Sequence, residues 1–443
     1  MNRFYLDVLL SDVQELIKLQ QYYKISGARY KNQRFLVSLF KQDQKAEHIT
    51  GISGLRGSGK TVMLYQLLRQ IDNSFYVSAD SVHSSLFDIA KYLKEHLKIK
   101  TLLIDEIHYA PEWSRDLKKI YDILQLKVYF TSSVSLDILQ AREDLTRRVF
   151  IFNVPPLSLR EYLLLKYNEK YEVLDFEDVV NKYQNFATVQ SLDYFSRLED
   201  VFIEYLQHPL PSLLKQKTEH TINNIIDKVV SQDLDNVIDL DLTDKRNMRV
   251  ALRFLATIKG GDISISQLAK NLGVTKHKMQ SYLELLEKAF IVHLVPPYGK
   301  NVLAENKVLL NLPFRNYLSL EYDILRMMGT FKEDFLISML KPMIYACKNY
   351  TKYLPQLFYL KTSRGKKTPD FLFLHKDKKY IIEVGGSSKK YDQFKGISAK
   401  DNVQKFVASF PYFMDLAKRN DYKSTQSKLK VFNIPLVLFG MLW

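Results

Sequence analysis

From Leu6 to Tyr23 the apolar residues Leu9, Val13, Leu16 and Ile17 recur at helical spacing, which predicts a helix ahead of everything else in the chain. Beyond it the pattern changes: short apolar runs alternate with helical stretches. One run ends at Gly54 and is followed by a helix from Thr61 to Gln70. Further runs cover Lys100 to Ile104, Lys127 to Phe130 and Val149 to Val154. Strands alternating with helices from about Glu47 to Tyr167 predict a parallel sheet covered on both faces. From Glu172 to about Asp244 the pattern is helical with mixed charge, and no chemistry attaches to it. Helices are then expected over Asn247 to Ile258, Ser264 to Asn271 and Thr275 to Ala289, with a tight turn at Gly273-Val274 and a strand-like run from Phe290 to Val295 before Pro296-Pro297. With Leu268, Ala269 and Leu272 on the buried face, this spacing is that of a winged helix-turn-helix. Strands are expected again over Leu357 to Leu360, Pro369 to Leu374 and Lys379 to Val384, and a buried final strand in the apolar Ile434 to Trp443. The predicted fold class is α/β and multidomain.

The first run leads into Gly54-Leu55-Arg56-Gly57-Ser58-Gly59-Lys60-Thr61, which fits the phosphate-loop pattern G-x-x-x-x-G-K-[ST] in the strand-to-helix context that pattern requires. Glycines let backbone N–H groups close around phosphates, Lys60 is expected at the β- and γ-phosphates, and the Thr61 hydroxyl on Mg²⁺. Residues Gly54 to Val62 are therefore the candidate nucleotide-binding set. The helix N-terminus adds its unpaired N–H groups and dipole. About 45 residues further on, Leu102-Leu103-Ile104 ends in Asp105-Glu106, as a buried strand delivering two carboxylates at its C-terminal edge would. Asp105 is assigned to the Mg²⁺ shell and Glu106 to polarising the attacking water, since phosphoryl transfer is mostly positioning and electrostatics. The Lys127 to Phe130 strand runs into Thr131-Ser132-Ser133. There Ser133 is a candidate to sense the γ-phosphate, or else an ordinary N-cap. Arg147 and Arg148 precede the Val149 to Val154 run, and Arg148 is either an arginine finger, from this chain or a neighbour, or a surface residue.

This order, with an arginine ahead of Pro155-Pro156-Leu157-Ser158-Leu159-Arg160-Glu161-Tyr162, resembles a family of bacterial and archaeal AAA-type ATPases that carry a winged-helix segment and a C-terminal restriction-endonuclease-like domain. The resemblance spans nearly the whole chain, and Pro-Leu-Ser-x-x-Glu is its most distinctive piece. Members usually have Gly-Arg before the strand; here Arg148 matches the arginine and Arg147 replaces the glycine. The implied organisation is an N-terminal helical segment over residues 1–45, a P-loop ATPase core over 46–167, a helical lid or connector over 168–244, a winged helix over 245–300 and a basic nuclease-like domain over 325–443.

Composition narrows the class. At 443 residues and 46% hydrophobic the chain is globular, with room for several cores. A lone cysteine, Cys347, excludes an intramolecular disulfide framework and fits a reducing cytoplasm. The N-terminus reads as no signal peptide, and no window approaches the roughly 18 to 20 apolar residues that span a bilayer, so no membrane partner is expected. Charge is uneven: residues 341 to 443 hold 20 Lys or Arg against 7 Asp or Glu, which is most of the chain's net +15. Such a local excess is the footprint of nucleic-acid binding, with a solvated lysine-rich surface or an acidic protein partner as the alternatives. In the winged segment, Lys276, His277, Lys278 and Gln280 are expected to face outward where DNA readers place contacts, unless the module only packs proteins together.

Chemistry is also expected near the C-terminus. Asp370 opens one strand and Glu383 nearly ends the next, so the two converge as Mg²⁺ ligands would. This resembles the Pro-Asp…(Asp/Glu)-x-Lys core of restriction-endonuclease-like enzymes, with Glu333 on a preceding helix as a third acid. The lysine expected two residues after Glu383 is replaced by Gly385, which removes the group that orients water and offsets developing charge. Lys389 or Lys390 would have to reach back, or the site binds without cutting. The reading is a Mg²⁺-dependent ATPase, with ATP as its nucleotide, coupled to a basic domain that engages DNA or RNA. The alternatives are a nucleotide-gated protein-interaction ATPase and an ATP-gated nuclease. A homo-oligomer is compatible with an arginine supplied by a neighbour.

Overall fold

A computed structural model describes the chain except for residues 1–2, 46, 134–144, 146–147, 182–188, 215–217, 236–238, 259–262, 300–303, 320–323, 348–354, 361–367, 387–390, 396, 398–401 and 411–430. Two compact units form. The first is Met1–Pro155 with Asp227–Leu240, and the second is Pro156–Ile226 with Asp241–Trp443.

In the first unit the apolar runs become β1 (Ile49–Gly54), β2 (Ser74–Ser78), β3 (Thr101–Asp105), β4 (Lys127–Ser132) and β5 (Val149–Val154). They form one sheet in the order β2-β3-β4-β1-β5, every pairing parallel. All five C-terminal ends therefore lie on one edge, where ligands of such sheets collect. Side chains alternate between two cores, as strand geometry requires. Leu102 and Ile104 of β3 pack with Val128 and Phe130 against Leu86, Ile89 and Leu93 of α4 (Leu86–Leu97) and Leu117 of α5 (Trp113–Lys119). Leu103 faces the other way, with Ile52, Tyr129 and Phe152, against Val37 and Phe40 of α2 (Phe35–Gln42) and Met63, Leu64 and Leu67 of α3 (Lys60–Gln70). The expected N-terminal helix is α1 (Arg3–Ala28) and joins these cores through Leu9, Val13, Leu16 and Tyr23.

The second unit opens with the Pro-Leu-Ser-x-x-Glu segment, whose residues have a local physical reason. Ser158 caps α6 (Leu159–Tyr167): its Oγ accepts from the Glu161 N–H at 3.1 Å while the Ser158 N–H donates to Glu161 Oε2 at 3.3 Å. Both residues are buried, so this reciprocal cap satisfies N–H groups that water cannot reach. Helices α7 (Phe176–Asn181), α8 (Val189–Gln207) and α9 (Thr218–Lys228) follow, then α10 (Leu242–Thr257), α11 (Ile265–Leu272) and α12 (Lys276–Lys288). Gly273, at φ 66°, makes the turn between α11 and α12, and Thr275 caps α12. An antiparallel pair follows, β6 (Val292–Val295) with β7 (Lys307–Leu310). After α13 (Phe314–Leu318) and α14 (Ile324–Cys347) comes a mixed sheet of β8 (Gln356–Tyr359), β9 (Phe371–His375), β10 (Lys378–Gly385), β11 (Val403–Ser409) and β12 (Val431–Pro435). Its order is β12-β11-β10-β9-β8, antiparallel from β8 to β10 and parallel from β10 to β12.

One element departs from the sequence reading. The final strand is β12, and Leu436–Met441, expected to be part of it, is a buried 3₁₀ turn. Gly440 lies within it, where a Cβ would meet the Leu159 Cβ at 2.6 Å. No helix among the described residues is long and apolar enough to cross a membrane.

Candidate nucleotide site

The C-terminal edge of the parallel sheet gathers the phosphate loop, the two acids and the hydroxyl-bearing end of β4. Gly54 ends β1 so close to β5 that a Cβ would lie 2.5 Å from the Val154 carbonyl oxygen. Gly57 and Gly59 take φ values of 85° and 92°, which glycine adopts without penalty. The loop is tied down from behind by the buried Arg34, whose Nη1 donates to the Ser58 carbonyl at 3.0 Å and the Pro155 carbonyl at 2.9 Å. Lys60 is buried with its Nζ donating to the Gly54 carbonyl at 2.8 Å. Burial pushes its ammonium below the usual lysine range, against the pull of Glu106 and Asp105.

Asp105 is the hub of the edge. Its Oδ2 accepts from the Thr61 hydroxyl at 2.8 Å and the Tyr76 hydroxyl at 2.9 Å, and its Oδ1 from the Thr131 hydroxyl at 2.5 Å. Burial and the neighbouring Glu106 push its carboxyl above the usual range, and the three hydroxyls oppose them. Thr131 also accepts from the Glu106 N–H at 2.9 Å, so one hydroxyl sets the spacing of both acids. Glu106 sits at φ 49°, with a buried Oε2 that has no hydrogen-bond partner among the described residues.

Comparison with known proteins fits this arrangement. Residues 46–163 match the model of a family described as an AAA domain. The chain carries an AAA-type ATPase domain. Residues 192–313 match a domain of unknown function (DUF8612), a span that includes Asp227–Leu240 of the first unit. The chain is 28% identical over 383 residues to the uncharacterized protein MJ1637 of Methanocaldococcus jannaschii, covering 81% of this chain and 79% of that one. An uncharacterized protein of Haemophilus influenzae is 23% identical over 64% of this chain and 71% of its own. Among solved structures, the Walker-type ATPase paby2304 of Pyrococcus abyssi aligns over 65% of this chain and 95% of its own, at 14% identity and a TM-score of 0.36.

The other residues assigned to the ATPase site divide. Ser133 reaches the edge, where its hydroxyl donates to Asp233 Oδ2 at 2.8 Å, a contact that neither sequence reading of Ser133 contained. Arg56 also meets Asp233, its Nη2 lying 2.8 Å from Oδ1. Arg148 does not reach this edge. It precedes β5, where its carbonyl accepts from the Ile49 N–H at 2.8 Å, and its guanidinium pairs with Asp122 at 2.9 Å. At about 3.3 Å per strand residue this is the far edge of the sheet, so Arg148 cannot serve the phosphates of its own chain. Arg147 lies outside the described residues. Sequence reasoning missed Arg34, Tyr76 and Asp233. No motif marks them, because their roles arise only from what the fold brings next to them.

The three C-terminal acids lie in the second unit. Among the described residues no three His, Cys, Asp or Glu side chains are grouped to hold a metal ion. Asp370 and Glu383 flank the Phe371–Ile382 pair of β9 and β10, as the strand reading required. Asp370 Oδ2, however, accepts from the Val384 N–H at 2.7 Å, and Glu333 pairs with Lys307 at 2.5 Å. Burial and the nearby Asp370 raise the Glu333 carboxyl against the pull of Lys307. Lys389 and Lys390 lie outside the described residues. On α12, Lys276, His277, Lys278 and Gln280 are all exposed, while Lys276 pairs with Glu305 at 2.7 Å and Lys278 with Asp244 at 2.6 Å.

Proposed function

We propose that the ATPase hydrolyses ATP with Mg²⁺ held by Thr61 and Asp105, the phosphates by the Gly54 to Val62 loop and Lys60, and the attacking water polarised by Glu106. The observation that carries this reading is the 2.8 Å contact between the Thr61 hydroxyl and the Asp105 carboxylate, which come from different elements. Hydroxyl and carboxylate oxygens suit Mg²⁺, and the buried Glu106 Oε2 has no hydrogen-bond partner among the described residues. Turnover is coupled to nucleic-acid binding by the basic residues of 341 to 443, in a region of restriction-endonuclease-like character. The three helices with their strand pair support a winged helix. Cleavage is not part of this reading: Gly385 stands where the lysine belongs, and Glu333 is held by Lys307.

The test is direct. Mg²⁺-ATP at about 100 times its dissociation constant adds about 2.7 kcal/mol to the native state and raises the Tm. Lys60→Ala abolishes that shift, while Glu106→Gln keeps the shift and loses turnover. Turnover by Glu106→Gln equal to that of the wild type would sink the role of Glu106.

A further inference from the structure

Residues Asp227–Leu240 belong to the ATPase unit, although the chain on either side of them belongs to the other unit. They deliver Asp233, at the end of the π-helical turn Val229–Asp233 and wholly buried. Its carboxylate collects three parts of the nucleotide edge. From the phosphate loop, Arg56 donates through Nη2 to Oδ1 at 2.8 Å and through Nε to Oδ2 at 3.3 Å, a fork that fixes the plane of the guanidinium. From the end of β4, Ser133 Oγ donates to Oδ2 at 2.8 Å. From the turn after β3, His108 Nε2 lies 3.8 Å from Oδ1, beyond hydrogen-bond length. The other ring nitrogen, Nδ1, is 3.4 Å from Glu106 Oε2. The His108 side chain is 1% exposed, and its Nδ1 is also 3.4 Å from Ser132 Oγ.

We propose that Asp233 is a positioning residue for ATP hydrolysis: it holds Arg56 and Ser133 in place beside His108 and the Glu106 carboxylate, so that the turn Val229–Asp233 completes the catalytic edge. This rests on the nucleotide-site reading above. A guanidinium has five donors. Arg56 gives two to Asp233 and turns Nη2 also towards the Tyr109 hydroxyl at 3.3 Å, which leaves donors for the phosphate side in a fixed direction. Ser133 is anchored by the same carboxylate, and loss of that anchor frees both groups at once. Small displacements of positioned groups lower the rate of reaction more than they lower binding.

The full-length chain is compared with Asp233→Asn, Asp233→Glu, Ser133→Ala and the Asp233→Asn/Ser133→Ala double variant. Steady-state ATP hydrolysis and the Kd of a fluorescent ATP analogue are measured separately. Asp233→Asn is expected to lower kcat on the order of 100-fold with Kd changed by less than about threefold, as an effect on the transition state requires. Asp233→Glu, which keeps the charge, recovers part of the rate. The double variant is no slower than Asp233→Asn, because both changes cut one network. Unchanged kcat in Asp233→Asn overturns the proposal, and so do multiplicative effects in the double variant. If Asp233→Asn does not fold, Asp233→Glu and Ser133→Ala decide: wild-type kcat in both overturns it, and lower kcat with retained Kd in both supports it. Lys60→Ala separates the two readings. Its inactivity beside an unaffected Asp233→Asn removes this inference alone, whereas wild-type turnover in Lys60→Ala removes the nucleotide site and the inference together.

Discussion

Burial alone would push the Asp233 carboxyl up, yet His108, Arg56 and Ser133 together hold it well below the usual carboxylate range. A carboxylate whose folded pKa lies below its unfolded value, about 3.9, stabilises the fold above that unfolded value. The contribution is lost as pH falls towards and through the folded pKa. Asp233→Asn keeps an oxygen that accepts from Arg56 but removes the charge, at an expected cost of about 1 to 3 kcal/mol near pH 7. The gap between wild type and variant should shrink by about 1 kcal/mol per pH unit once pH drops below about 4. Denaturant unfolding at pH 7, 5 and 3 checks this, and a gap independent of pH would remove Asp233 as its source. At the same scale Asp105 and Glu106 were recognisable because adjacency after an apolar run is visible in one dimension. Asp233 was not, since Arg56 and Asp233 stand 177 residues apart and a lone aspartate in a mixed-charge helical stretch carries no signal.

Elements were the most legible level. Continuous burial of β3 and the order of strand and helix followed from the pattern of apolar residues, and the capping box at Ser158 and Glu161 accounts for the most distinctive short segment of the chain. Gly54 belongs here too, because its importance lies in the packing of β1 against β5 as much as in the phosphate loop. Gly54→Ala would press a Cβ to 2.5 Å from the Val154 carbonyl oxygen and 2.9 Å from the Val154 Cβ. Backbone atoms cannot swing aside, so the two strands must part. The expected loss is about 1 to 3 kcal/mol, as for overpacking elsewhere, together with a smaller Tm shift on adding Mg²⁺-ATP. Thermal melting with and without nucleotide measures both, and an unchanged melting temperature would show that the strands yield freely. The misread element, the 3₁₀ turn Leu436–Met441, is apolar throughout, and an apolar run is compatible with any buried backbone.

For the whole molecule, charge is the property that sequence assigns most directly. If the basic residues of 341 to 443 bind nucleic acid, the logarithm of affinity falls linearly with that of salt, each phosphate contact adding about 0.7 to 0.9 to the slope. Replacing Lys378 and Lys379 by Glu should flatten it while ATP turnover persists; Lys366, Lys367, Lys389 and Lys390 lie outside the described residues. A fluorescence-anisotropy salt series checks this, and affinity indifferent to salt would favour an acidic protein partner. The sequence by itself determined the phosphate loop, the Asp105-Glu106 pair, the alternation that makes a parallel sheet and the concentration of charge near the C-terminus. Each of these is a local pattern whose physical meaning survives without neighbours. Only the tertiary structure decided the rest: that Arg148 lies at the far edge of the sheet, that Lys307 holds Glu333, that Lys276 and Lys278 pair with Glu305 and Asp244, and that Asp233 joins Arg56 and Ser133. A charged side chain acts through whatever lies within a few ångströms of it, and which groups those are is fixed by how distant segments pack.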